Sequence, residues 1–93
     1  MRGVKSEFRL LDLLFRRENE QNQQQLQIIA ASYEAAQSQD IESATLAARR
    51  YRKGEHRFAT CRHMHISESQ YYKLLSKFLA TAKAVHDKIL AAE

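Results

Sequence analysis

FATCRHMHISESQYYKLLSKFL, residues 58–79, reads as a helix, a tight turn and a second helix. Ser67 is the natural start of the second helix. Its hydroxyl can accept from the orphan N–H groups of the first turn, and Gln70 three residues on completes a Ser-x-x-Gln capping box. Ile66 stands just before the cap as a hydrophobic staple. Upstream, Phe58, Cys61 and Met64 fall on one helical face, and Cys61 is small enough for the point where two helices cross. Downstream, Tyr71, Leu74, Leu75 and Phe78 recur at three and four residues and define an inward face. Glu68, Ser69, Tyr72, Lys73, Ser76 and Lys77 are left on or beside the outer face, and Glu68 is the only carboxylate between Arg57 and Asp87. Side chains of this kind hydrogen-bond base edges and phosphates. The segment therefore has the pattern of a DNA-reading helix-turn-helix, with a purely structural helical hairpin as the plain alternative.

The residues just upstream, ARRYRKGEHR, are strongly basic. The whole chain of 93 residues carries a formal charge of +4, and that total hides an asymmetry. Residues 1–40 hold five basic and six acidic side chains, a net of −1, whereas residues 41–93 hold ten and five, a net of +5. The positive potential lies with the candidate reading head, as in nucleic-acid binders. A solvated basic surface accounts for charge alone, so the motif carries the argument.

Pro is absent, Gly occurs only at positions 3 and 54, and the chain is rich in Gln, Ala, Leu, Arg, Lys and Glu. That composition favours helices and offers almost no strand punctuation. The expected fold is all-α: a small helical domain with an N-terminal helical arm over residues 1–39 and a helix-turn-helix module over 40–93. Phe8, Leu11 and Phe15 form an apolar stripe in the arm, widened by Leu14. So dense a stripe must bury against the rest of the chain or against a second copy. The expectation taken forward is a homodimer through Phe8, Leu11, Phe15, Leu26 and Ile29. RRENEQNQQQ, residues 16–25, has no apolar side chain and reads as a solvated helix, with Asn19–Asn22 the place where it would break. Leu26, Ile29, Tyr33 and Ala36 resume the helical spacing. Asp40 reads as the N-cap of a third helix, from Ile41 to about Lys53. Gly54, directly after Arg52 and Lys53, reads as its C-terminal stop.

A single Cys excludes an internal disulfide and fits a reducing cytoplasm. The N-terminus lacks a signal-peptide core, since Asp12 interrupts Leu10–Phe15. No apolar run approaches the roughly 20 residues that span a bilayer. The expected setting is cytoplasmic, with no membrane partner. His56, Cys61, His63 and His65 are zinc-type ligands in close sequence, but their spacing is poor. Cys61 and His65 share a helical face, His63 points elsewhere, and no second ligand pair exists. No metal, no cofactor and no catalytic site are expected. A glycine-rich phosphate loop, a paired carboxylate site and an activated nucleophile are all missing.

The segment ISESQYYKLLSKFL, preceded by RYRKG and a short helix, resembles the sigma-region-4-like helix-turn-helix of small phage late-gene regulators. These are the ArpU/RinA-type transcriptional activators and some Q-type antitermination proteins. In them a turn ending Ile-Ser leads into a helix that opens Tyr-Tyr or similar. The likeness covers about residues 49–85. It departs from the pattern at His65, where Gly is usual, and at Thr60, where a bulkier apolar residue is usual. It implies a phage or prophage regulator acting at a promoter or with RNA polymerase.

The reading expected from these residues is a sequence-specific regulator that binds double-stranded DNA. Ser67, Ser69, Gln70, Tyr72 and Lys73 are the base-edge candidates on the second helix. Arg49, Arg50, Arg52, Lys53, Arg57, Arg62 and Lys77 are the phosphate candidates. The rival is a helical protein-interaction module, an adaptor or inhibitor, in which the N-terminal stripe is the binding surface.

Overall fold

Local capping decides where the longer helices begin. In the computed structural model, which describes residues 3–92, five α-helices and short 3-10 and π turns account for nearly all of the chain. Helix α1 (Arg9–Arg16) follows a 3-10 turn at Ser6–Phe8. The polar run then breaks instead of continuing as a helix. Glu18–Glu20 forms a 3-10 turn, Gln21 is extended, and α2 (Gln23–Gln39) starts behind Asn22. Asn22 makes the break because its side chain accepts from the Gln25 backbone N–H at 2.9 Å, while the Gln25 side chain accepts from the Asn22 N–H at 3.0 Å. This is a reciprocal cap, worth about 1 kcal/mol. Asp40 ends α2 and caps α3 (Ile41–Ala47) through the N–H groups of Glu42 and Ser43.

The expected single helix to Lys53 changes character at Ala48. Ala48–Arg52 is a π-helical turn, closed by Lys53 N–H to the Ala48 carbonyl at 3.1 Å. Gly54 takes left-handed φ of 64°, as a helix stop requires. After it come α4 (Arg57–Met64) and α5 (Glu68–Ala91).

Helix α5 is the central pillar. Its Tyr71, Leu75, Phe78, Leu79 and Ala82 are buried, and α2, α3 and α1 pack around them. Phe15 from α1 meets Phe78 edge-on at 5.1 Å and Tyr33 of α2 at 5.7 Å. Each such fully buried aromatic or aliphatic side chain stabilises the fold by about 1.5–3 kcal/mol. One core thus joins residues from both sides of Asp40.

The homodimer stripe is corrected by this packing. Phe15 and Ile29 are 0% and 1% exposed, and Phe8 and Leu11 are also buried, so these four face the chain's own core. Only Leu26 of that set remains exposed. The apolar side chains that α1 does leave outside are Leu10 and Leu13. A second correction concerns α4. Phe58 is exposed, and Thr60 is the fully buried residue of the helix crossing. Cys61 is half-buried, its Sγ 3.8 Å from the Ser67 carbonyl.

Candidate nucleic-acid interface

The turn between α4 and α5 is His65-Ile66-Ser67. His65 adopts φ 54° and ψ 48°, the left-handed conformation that Gly would take without strain. The N–H of Ile66 reaches back to the Cys61 carbonyl at 3.0 Å, so the end of α4 is tied off. Ile66 then packs against the core. Ser67 and Gln70 form the expected capping box, at 3.1 and 2.9 Å. The start of α5 is therefore held in a defined direction.

Of the base-edge candidates, Ser69, Gln70 and Lys73 are exposed along the first turns of α5. Ser67 is exposed too, but its hydroxyl serves the cap. Tyr72 is half-buried, and its hydroxyl accepts from Arg57 at 3.0 Å. This outer strip opens on a groove of about 940 Å³ that also takes in Ser76, Lys77 and, from the chain's beginning, Gly3 and Lys5.

The phosphate candidates divide sharply. Arg50 is removed from that set. Its guanidinium donates to Asp12 Oδ1 at 3.2 Å and to the Tyr71 hydroxyl at 3.0 Å, and both its side chain and that of Asp12 are 14% exposed. Tyr51 donates to the same Asp12 oxygen, and Arg16 donates to the other. Burial pushes the Asp12 carboxyl up, but the bonds from Tyr51 and Arg16 and the charge of Arg50 outweigh it and hold the carboxyl below its ordinary value. Burial and the Asp12 hydrogen bond drive the Tyr51 hydroxyl well above its usual range, so it stays a donor. This cluster locks α1 to the π turn and to α5.

Arg49 pairs with Glu55 at 3.1 Å. Glu55 also accepts from Thr60 at 2.7 Å and faces His63 Nδ1 at 3.0 Å. The Thr60 hydrogen bond, ahead of those from Arg49 and His63, holds the Glu55 carboxyl below the usual carboxylate range. Arg52 lies 3.9 Å over the Tyr33 ring and pairs with Glu18 at 3.4 Å. Arg57 pairs with Glu68 at 3.7 Å, and Lys77 with Asp40 at 2.9 Å. Among the described residues, the exposed side chains of Lys53, Arg62 and Lys73 have no such partner. Of the residues singled out in the sequence, these three are at liberty to meet a phosphate.

The four zinc-type residues have separate duties. His56 caps α4, His63 faces Glu55, His65 forms the turn, and burial raises the Cys61 thiol above its ordinary value. No helix among the described residues is long and apolar enough to cross a membrane.

Residue reading missed two features. One is Asp12 as the hub of a half-buried ion cluster, signalled only by an acid inside an apolar stripe. The other is Lys5 beside α5, for which the residues carry no signal. Compared with known proteins, the chain matches no family model, no curated protein and no solved structure.

Proposed function

We propose that this chain is a small sequence-specific DNA-binding regulator that presents the start of α5 to the major groove. One observation carries the reading. A strip of exposed hydrogen-bonding and cationic side chains, Ser69, Gln70 and Lys73, sits on the first turns of a helix whose start is fixed by a turn and a capping box. A helix of ordinary diameter fits the major groove, where such side chains meet base edges. Lys53, Arg62 and Lys73 supply free positive charge for the backbone. The likeness of residues 49–85 to phage late-gene regulators supports a role in transcription, in a phage or prophage setting. The test is affinity for a random duplex pool as salt is raised, followed by selection of the tightest sequences. Affinity should fall steeply with salt, and the selected pool should share a motif. Binding that is indifferent to salt, or a pool without a motif, would sink the reading.

A second reading has its own observation. Leu10, Leu11, Leu14, Ile28 and Leu90 line an apolar groove of about 440 Å³ between α1, α2 and the end of α5, with Leu10 84% exposed. That groove supports a protein-interaction module, an adaptor or inhibitor that acts on RNA polymerase or another factor without reading bases.

A further inference from the structure

We infer that the N-terminal segment belongs to the same interface, and that Lys5 is a phosphate contact held beside the outer strip of α5. The inference rests on the DNA-binding reading above and extends it to the far end of the chain. Gly3, Lys5 and Phe8 line the groove that Ser69, Lys73 and Ser76 also line. Phe8 is buried in the core, and Val4 packs against the same core. Lys5 lies between these two anchors and is exposed. Its backbone is extended, at φ −58° and ψ 143°, and its carbonyl accepts from the Phe8 N–H at 2.9 Å. Pinned on both sides, the segment presents this ammonium from a fixed base instead of a free tail.

The charge balance of the groove points the same way. Its lining holds Lys5, Lys73 and Lys77 against a single carboxylate, Glu42. Lys77 is engaged by Asp40. Lys5, like Lys73, has no ion-pair partner among the described residues. A polyanion satisfies both. When a helix turns its outer strip to the base edges, the phosphates of the two strands line the rims of a groove about 12 Å wide. A cation on a segment running beside that helix falls at a rim. Ammonium groups on flexible stems suit phosphate there as point charges.

The measurement is binding of the full chain to a random duplex pool across about 50–200 mM salt, for the parent and for Lys5→Ala, Lys5→Arg, Lys73→Ala and Lys88→Ala. Lys88 is also exposed, and it lies about 22 Å from Lys73 along α5. Lys5→Ala should weaken binding to all sequences alike and reduce the slope of log affinity against log salt by about 0.9. Lys5→Arg should restore both, the selected motif should be unchanged, and thermal melts should coincide with the parent's. Lys88→Ala should leave the slope alone. If Lys73→Ala lowers the slope and Lys5→Ala does not, the inference fails and the helix reading survives. If Lys88→Ala has the same effect as Lys5→Ala, the effect is net charge only and the inference fails as well. If the parent shows no salt-dependent duplex binding, or prefers poly-glutamate to duplex, the reading falls and the inference with it.

Discussion

Arg49, Arg50 and Arg52 stand within four positions of one another, and Lys73 stands with Ser69 and Gln70 on the first turns of α5. The two regions use positive charge differently. In the first, each guanidinium is spent on the fold: Arg50 on Asp12 and Tyr71, Arg49 on Glu55, Arg52 on Glu18 and the Tyr33 ring. In the second, the ammonium of Lys73 faces solvent with no partner among the described residues. A formal count over residues 41–93 treats both as equal, yet the guanidiniums already have partners and the ammonium has none among the described residues. Paired charge sets shape, and under the proposed function free charge would set affinity.

The largest effect that would break this contrast is expected at Arg50. Arg50→Ala should lower stability by about 2–3 kcal/mol, because it removes a charged partner from a mostly buried carboxylate that keeps Tyr51 and Arg16, and takes away the donor that the buried Tyr71 hydroxyl accepts from. A melt like the parent's would return Arg50 to the phosphate set. The same cluster has a pH signature. Asp12 is held below its ordinary value of 3.8, so its contribution is complete above that pH and drains away as pH falls through the lowered folded value. Denaturant midpoints taken below pH of about 4 should therefore fall more steeply for the parent than for Asp12→Asn. Parallel curves would show that Asp12 is not the titrating group.

Next in size is the reading strip. Ser69→Ala and Lys73→Ala should leave the melting temperature unchanged while altering which base pairs are selected, by about 1–3 kcal/mol of discrimination for each hydrogen bond to a base that is removed. Variants that select the parent's sequences would show that α5 reads nothing, and the apolar groove at Leu10 would then become the favoured surface. The smallest effect is expected at Ser67. Ser67→Ala should cost about 1 kcal/mol of stability, visible in a melt, and should not change the selected motif. A changed motif would move Ser67 from the cap to the readout.

What is legible in the residues is short in range. Ser67 with Gln70, and Asp40 at the head of α3, satisfy backbone groups two or three residues away, so each cap can be read from adjacent letters. The inward face of α5 is legible because a 3.6-residue period is a local property. Of the partners of Asp12, Arg16 four residues on is legible by helical spacing, but Arg50 and Tyr51 lie 38 and 39 positions away, and no local rule selects them. The same distance problem hides the destination of the Phe8, Leu11 and Phe15 stripe. Periodicity says that a face must be covered, but not whether the cover is intramolecular. Phe58 lies outside, against expectation: in the first turn of α4 it packs against the His56 ring and the Arg57 guanidinium, while Thr60, Cys61 and Met64 make the side turned to the core. His65 holds the turn where Gly is the familiar occupant, since one residue in left-handed conformation is tolerable when both flanking helices are anchored.

The π turn at Ala48–Arg52 has a further meaning for how this chain tolerates change. A π turn holds one residue more than an α-helical turn over a similar length. The segment between α3 and Gly54 thus carries a spare position, a slack link in otherwise regular coil. Shortening it by one residue would let the coil close into plain α-helix without breaking the chain. Because the residue removed is the one the π turn holds in excess, the segments on either side would keep roughly their relative direction. The link can therefore lose a position that a plain helix could not, provided that Arg50 and Tyr51, its two contacts with Asp12, are kept. The hold on α1 is shared between that pair and the buried Phe8, Leu11 and Phe15.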